Sequence, residues 1–295
     1  MRNLMRTHLT LLNLTLFFLH IASAQPNDWQ EVQQIFGRKG TIQEDMIKLT
    51  FPRTDLEIHV GDVSIEPALA LTTWIAFMNT KEGTMMMGDL VLTESEIHPV
   101  MKKLLDNGVE ITALHNHLTD ESPNVMYMHF SGQGQPTKLA TVMHEALAIT
   151  NTPTGPLPLR AERIDKTDWS TVESILGVTG KRAGGVLQLS IPRAETISER
   201  QMEIPPFMGM ATAINLQMVE KKTATTGDFV LVAHEVNPVM KALTEHGIAV
   251  TALHNHMLNE SPRLFFMHFW GYDDPEKLAR GLRAALDKTN VLKKK

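Results

Sequence analysis

One stretch of this chain occurs twice. Residues 88–130 return as residues 227–269, an offset of 139, and 23 of the 43 aligned positions are identical without a gap. Earlier matches run at an offset of 140: Trp29 with Trp169, Gly37 and Gly40 with Gly177 and Gly180, and Pro52-Arg53 with Pro192-Arg193. Two copies, rather than many, predict a pseudo-symmetric pair instead of a stacked solenoid. The fold must therefore serve one unit of sequence twice.

Within each copy the pattern predicts an α+β unit: a short helix, several strands, a helix, a hairpin and a closing helix, with helices packed on a mixed or antiparallel sheet. Gly88-Asp89-Leu90-Val91-Leu92 reads as a strand. Pro99 suits the first position of the next helix, with Gly108 just past its end. Pro238 and Gly247 repeat the design, with Asn237 as N-cap. Residues 138–149 and 277–286 read as the closing helices. The division is then 1–24 as a signal peptide, 25–150 as the first unit, 151–167 as a linker carrying Pro153, Pro156 and Pro158, and 168–290 as the second unit.

The leading segment carries Arg2 and Arg6, an apolar run over residues 9–21, and Ala22-Ser23-Ala24 as an A-x-A cleavage site. The run is too short and too interrupted for a spanning helix. The expectation is a periplasmic or secreted protein with no membrane span. Cleavage before Gln25 removes two arginines and no acid, taking the formal charge from −5 to −7. An acidic protein is a poor partner for nucleic acid, where binding draws on clustered Lys and Arg. Cysteine is absent, which excludes disulfides, thiolate ligands and lipidation at an N-terminal cysteine. The sequence also lacks a G-x-S-x-G elbow, a phosphate-binding G-x-x-x-x-G-K-[ST], an H-E-x-x-H and a strand-linked G-x-G-x-x-G.

What both copies keep is histidine. His115, His117 and His129 recur as His254, His256 and His268. Residues 109–117 alternate as a strand should, which puts Val109, Ile111, Ala113, His115 and His117 on one face. Residues 125–131 read as the returning strand, with Glu121-Ser122-Pro123 in the turn and His129 opposite His115. Three imidazoles converging on an otherwise apolar face suit a zinc ion, with one coordination position open to a small-molecule ligand or substrate. The competing reading is three core histidines held by hydrogen bonds, which would need many polar partners to offset desolvation. Glu96 and Glu235 occupy equivalent places between strand and helix, as candidate catalytic acid–base groups or as acids at a helix entry. Asp89 and Asp228 also match, and read as turn residues. Arg53 and Arg193 read as surface ion-pairing groups or anion holders. The methionines, Met85-Met86-Met87 included, read mainly as core filler.

Four motifs support a family resemblance. Gly37-Arg38-Lys39-Gly40, Pro52-Arg53-Thr54-Asp55-Leu56, Gly88-Asp89-Leu90-Val91-Leu92 and Thr112-Ala113-Leu114-His115-Asn116-His117 resemble the LppY/LpqO family of exported bacterial proteins, built around a domain of unknown function. Named members of that family are lipoproteins, whereas this chain has no cysteine to lipidate. The H-x-H followed by a third histidine is also distantly similar to the zinc site of acetolactate decarboxylase and its relatives. That likeness implies His115, His117 and His129, and equally His254, His256 and His268, as zinc ligands. The functional expectation is a zinc-dependent enzyme acting on a small oxygen-rich substrate by hydrolysis or decarboxylation. A non-catalytic periplasmic metal- or ligand-binding protein, or a structural pseudo-dimer, stands as the alternative. The oligomeric state is not legible.

Overall fold

The computed structural model describes residues 29–156 and 167–292. The proposed signal peptide and most of the proposed linker lie outside the described residues. The first unit runs α1 (Gln30–Phe36), β1 (Thr41–Gln43), β2 (Met46–Pro52), β3 (His59–Val60), β4 (Val63–Ser64), β5 (Thr72–Thr80), β6 (Gly83–Thr93), α2 (Glu94–Asp106), β7 (Glu110–His115), β8 (Glu121–Ser122), β9 (Val125–Gly134) and α3 (Pro136–Leu147). The second repeats it as α4 (Ser170–Leu176), β10 (Lys181–Ala183), β11 (Val186–Pro192), β12 (Ser198–Glu199), β13 (Met202–Glu203), β14 (Ala211–Val219), β15 (Lys222–Val232), α5 (Val236–Glu245), β16 (Ala249–His254), β17 (Glu260–Ser261), β18 (Leu264–Asp273) and α6 (Pro275–Leu286). The fold is α+β, and its two units are alike.

Each unit builds a six-stranded antiparallel sheet, in the order β1-β2-β5-β6-β9-β7 and β10-β11-β14-β15-β18-β16. Side chains alternate between faces along a strand, so β6 divides its apolar residues between two cores. Met86, Leu90 and Leu92 pack with Val100 and Leu104 of α2 and with Ala140 and Met143 of α3. Met85 and Met87 face the other way, into a cluster that also holds Val230, Leu264 and Phe266 of the second unit. The helices thus cover one face of each sheet, and the remaining faces meet each other. A methionine-rich cluster forms one part of this seam, and an aliphatic cluster around Val63, Leu71, Val91, Val125 and Val186 forms another. Met85-Met86-Met87 is core material, split between both layers.

The prolines sit later in their helices than the sequence suggests. Helix α2 begins at Glu94, directly after β6, and Pro99 lies inside it. The cap is Thr93 with Glu96, whose carboxylate accepts from the Thr93 backbone N–H at 2.8 Å, so this capping box starts the helix earlier. In the second unit a 3-10 turn over Ala233–Glu235 precedes α5, and Asn237 and Pro238 lie within α5 itself. Gly108 and Gly247 do follow their helices, at φ +76° and +74°, where a β-carbon is disfavoured.

Gly88 and Gly227 open the conserved stretch because the sheet leaves no room there. A β-carbon on Gly88 would lie 2.2 Å from the Trp74 carbonyl oxygen and 2.6 Å from the Phe130 ring, and one on Gly227 would lie 2.0 Å from the Ala213 oxygen. Gly88→Ala and Gly227→Ala are each expected to destabilise the protein by about 2–3 kcal/mol through overpacking against backbone that cannot yield. Gly108→Ala, whose β-carbon meets nothing within 4 Å, is expected to cost about 1–2 kcal/mol from its left-handed backbone alone. Urea unfolding of the three variants checks the order, and equal losses would refute the close-approach argument.

Candidate metal centre

The histidines reach the seam through a β-bulge. Strand β7 pairs with β9 as Ile111 with Phe130, but then as Ala113 with His129 and His115 with Tyr127, so one residue, Thr112, is extra. Uninterrupted alternation would put Ile111 and His115 on one face. The bulge instead leaves Val109 and Ile111 with the helices and turns Ala113 and His115 toward the seam with His129. His129 therefore stands opposite Ala113, not His115. His117 lies beyond the strand, in the connection to β8, and β8 pairs with β3 rather than forming a simple turn. In the second unit β16 and β18 repeat the bulge between Val250 and Ala252.

The bulge also frees backbone groups that join the units. Asn116 Nδ2 donates to the Thr251 carbonyl at 3.1 Å, and Asn255 Nδ2 donates to the Thr112 carbonyl at 3.0 Å. The Thr251 hydroxyl donates to the His117 carbonyl at 2.6 Å. Each Asn also donates back within its own loop, to Leu118 and to Met257. The asparagine between the two histidines is thus the clasp across the seam.

The six imidazoles interleave at that seam. His115 stacks on His254 with ring centroids 3.4 Å apart, His117 on His268 at 3.8 Å, and His129 on His256 at 3.8 Å. Tyr127 lies flat on His117 at 3.3 Å, and Phe266 takes the equivalent place on His256 at 3.4 Å. Four of the rings are anchored through Nδ1 to backbone carbonyls: His115 to Asn116, His254 to Asn255, His129 to Gly88 and His268 to Gly227, at 2.9–3.2 Å. A carbonyl only accepts, so Nδ1 carries the proton in each neutral ring, and Nε2 presents a lone pair. The Nε2 atoms of all six histidines are buried without a hydrogen-bond partner.

Two carboxylates join them. Asp89 is the cross-strand neighbour of His129, and Asp228 that of His268. Asp89 Oδ2 lies 3.6 Å from His117 Nε2 and 3.9 Å from His129 Nε2; Asp228 lies 3.2 Å from His256 Nε2 and 4.0 Å from His268 Nε2. Donors bound tetrahedrally at ~2.0–2.1 Å from one zinc ion stand about 3.3 Å apart, so these gaps fit groups arranged around a cation. Ligand atoms of His115, His117 and His129 lie within 4.8 Å of one another, and so do those of His115, His254, His256 and His268.

Burial dominates the electrostatics. It drives His115 down to about 2 and His268 to about 3, with His117, His129 and His256 well below the ordinary histidine value and His254 lowered. It pushes the Asp89 carboxyl well up, helped by the charge of Asp228, and raises Asp228 too. Neutral imidazoles are in the protonation state that ligates metal. Asp89 and Asp228, turn residues by their local sequence, lie within strands β6 and β15. The signal that could have found them is the pleat: two residues before Val91 on a strand adjoining the histidine hairpin.

Glu96 and Glu235 stand elsewhere. The Glu96 carboxylate accepts from Arg53 Nη1 and Nη2 at 2.9 and 3.1 Å, from the Thr93 N–H and from the Asn151 N–H at 3.1 Å. Glu235 accepts from Arg193 at 2.6 and 3.1 Å, from the Val232 N–H at 3.0 Å and from the Asn290 N–H at 2.8 Å. With those bonds made, neither carboxylate has a free direction for acid–base work. Arg53 and Arg193, read from the sequence as surface groups, are fully enclosed at their side chains, with 0 % exposure each. Each also donates to a strand carbonyl, Val91 and Val230, so the pair ties the end of β2 or β11 to the central strand and to the helix start.

A family described as Domain of Unknown Function (DUF1259) matches residues 30–149 and again residues 170–288. The chain belongs to this family. Its two matches coincide with the two sheet units. No functionally curated protein matches the chain. Among solved structures, a trimeric bacterial microcompartment shell protein, PduB, is similar at 13 % identity and a TM-score of 0.23, covering 85 % of this chain and 89 % of its own. EtuB from Clostridium kluyveri is similar at 9 % identity and a TM-score of 0.21, with the same coverages. Likenesses this slight are no guide to fold or assembly.

Removing Arg53 strands Glu96 in a buried place, so Arg53→Ala is expected to cost about 3–5 kcal/mol. For Glu96, desolvation raises the pKa, but the bonds from Arg53, Thr93 and Asn151 outweigh it and hold the carboxyl below its ordinary 4.5. A depressed carboxylate stabilises the fold above the unfolded value, and that contribution disappears as the pH falls through the folded one. Unfolding free energy should therefore drop below pH 4.5 in the wild type, and a Glu96→Gln variant should show a shallower drop, measured by urea denaturation at stepped pH.

Proposed function

We propose that this protein binds a divalent transition metal, zinc in the first instance, at the histidine-rich seam between its two units. The observation that carries the reading is the set of six buried Nε2 atoms without hydrogen-bond partners, four of them presenting a lone pair on rings fixed through Nδ1. An imidazole buried for packing alone would leave its acceptor nitrogen unsatisfied at a cost of roughly 1–3 kcal/mol. Six such costs at one place, in both copies of the unit, are offset when a cation takes the lone pairs. Anchoring Nδ1 to a carbonyl is also how ligand imidazoles are held in orientation. The donor chemistry, imidazole with carboxylate and no sulfur, suits zinc or copper(II) over softer ions. The distant likeness to the acetolactate decarboxylase zinc site points the same way.

The enzyme reading, in which zinc polarises a small oxygen-rich substrate for hydrolysis or decarboxylation, draws support from the partial exposure of His117 and His254. Asp89 and Asp228 would be the acids at hand. Against it, both carboxylates are well placed to complete the coordination themselves, and closed four-ligand sites hold metal rather than turn over substrate. Metal holding is therefore the conclusion. Export to the periplasm or beyond rests on the leading residues alone; among the described residues no helix is long and apolar enough to cross a membrane.

Elemental mass spectrometry of protein purified from zinc-supplemented culture is expected to find bound metal, and His129→Ala or His268→Ala is expected to lower its content. Zinc should also stabilise the fold, by about 2.7 kcal/mol for each site when free metal is 100-fold above its dissociation constant. Absence of metal and of any zinc-induced stabilisation, with copper, iron and manganese tried as well, would reduce the histidines to packing groups.

A further inference from the structure

The count of buried donors bears on how many ions the centre takes. Besides the six Nε2 atoms, the unpartnered buried atoms include Oδ1 of Asp89 and of Asp228, which makes eight donor groups facing one seam. One tetrahedral ion satisfies four groups and one octahedral ion satisfies six. A single ion would thus leave at least two buried donors orphaned, whereas two ions can engage all eight.

The two ligand sets are not equivalent, although the sequence repeat is. His115 belongs by distance to both: its ligand atom lies within 4.8 Å of those of His117 and His129, and also of those of His254, His256 and His268. Its Nδ1 is committed to the Asn116 carbonyl, so only Nε2 can ligate, and it serves one ion at a time. Within that reach it has three histidines of the second unit and two of its own. His117 of the smaller set keeps 16 % of its side chain exposed, and His254 of the larger set is also partly exposed.

Resting on the metal-binding reading above, we infer that the seam holds two ions of unequal character. The second-unit ion takes four imidazoles, His115, His254, His256 and His268, together with the Asp228 carboxylate that lies 3.2 Å from His256 Nε2. The first-unit ion takes His117, His129 and Asp89, and fills its remaining position with a small oxygen- or nitrogen-donor ligand that enters beside His117. Two imidazoles and one carboxylate with open positions form a set that admits an exogenous ligand, so the first-unit ion is the one open to a small ligand.

Native mass spectrometry of the full chain, titrated with zinc and then with copper(II), reads the stoichiometry. Two ions are expected in the wild type, and one in each of His117→Ala and His256→Ala. Adding His115→Ala to His117→Ala should weaken the remaining ion at least tenfold, because that ion loses one of its four imidazoles. With copper(II) as probe, added azide should give its charge-transfer band in His256→Ala and not in His117→Ala. Apo forms of all variants are compared by circular dichroism, and Asp89→Asn, which keeps the side-chain shape, replaces His117→Ala if that variant unfolds. A wild type that saturates at one ion would overturn the inference while leaving metal binding intact. No ion at all would instead overturn the reading on which it rests. An unchanged affinity on removing His115, or an azide band in His117→Ala, would refute the unequal assignment.

Discussion

The Nε2 atoms of six imidazoles and two carboxylates are buried against each other where the two sheets meet, and none of these Nε2 atoms has a hydrogen-bond partner. Burying polar groups unpaired is costly, so the rest of the architecture can be understood as what keeps them there. The helices seal the outer face of each sheet, and apolar clusters seal much of the inner one. Backbone carbonyls of Gly88 and Gly227 fix the rings of His129 and His268 from within the central strand. Those glycines are themselves demanded by close approach of the neighbouring strand. The sheet and the centre are thus specified by the same few positions.

The buried Arg–Glu pairs show a different use of charge. Arg53 with Glu96, and Arg193 with Glu235, satisfy each other and the adjoining backbone almost completely. Such a pair contributes little net stability against an apolar replacement, but breaking one partner is expensive. Their place where the end of β2 or β11 meets the central strand and the helix start makes them a registration device for each unit. The histidine seam has no internal counter-charge of that kind beyond Asp89 and Asp228, and this contrast separates the structural polar cluster from the one suited to a cation.

Much was legible in the repeat. The doubling itself, the strand at Gly88, the closing helices and the three histidines per unit all follow from identity and periodicity, and the structure carries them as two similar α+β units. The face assignment of β7 was not legible, because a bulge at Thr112 cancels the alternation that periodicity assumes. Helix starts fall earlier than Pro99 and Pro238 suggest, because the cap formed by Thr93 and Glu96 begins the first of them at the strand end. That same cap gives Glu96 and Glu235 a structural reason to recur in both units. The place of Asp89 and Asp228 is not legible locally, because a Gly-Asp pair has a strong local reading as a turn, and only cross-strand pairing with His129 and His268 gives it another.

By itself, the sequence determined that one unit is used twice and that each copy brings three histidines and no sulfur ligand but methionine, since those facts are matters of identity and count. Tertiary structure alone decided that the six histidines form one seam instead of two separate cages. Which residues of different units come within reach depends on a bulge, on two Asn-to-carbonyl bonds across the seam, and on sheet faces that pack only when both units are present. Contacts between segments far apart in sequence leave no periodic trace, so no local pattern could have shown that His115 stacks on His254.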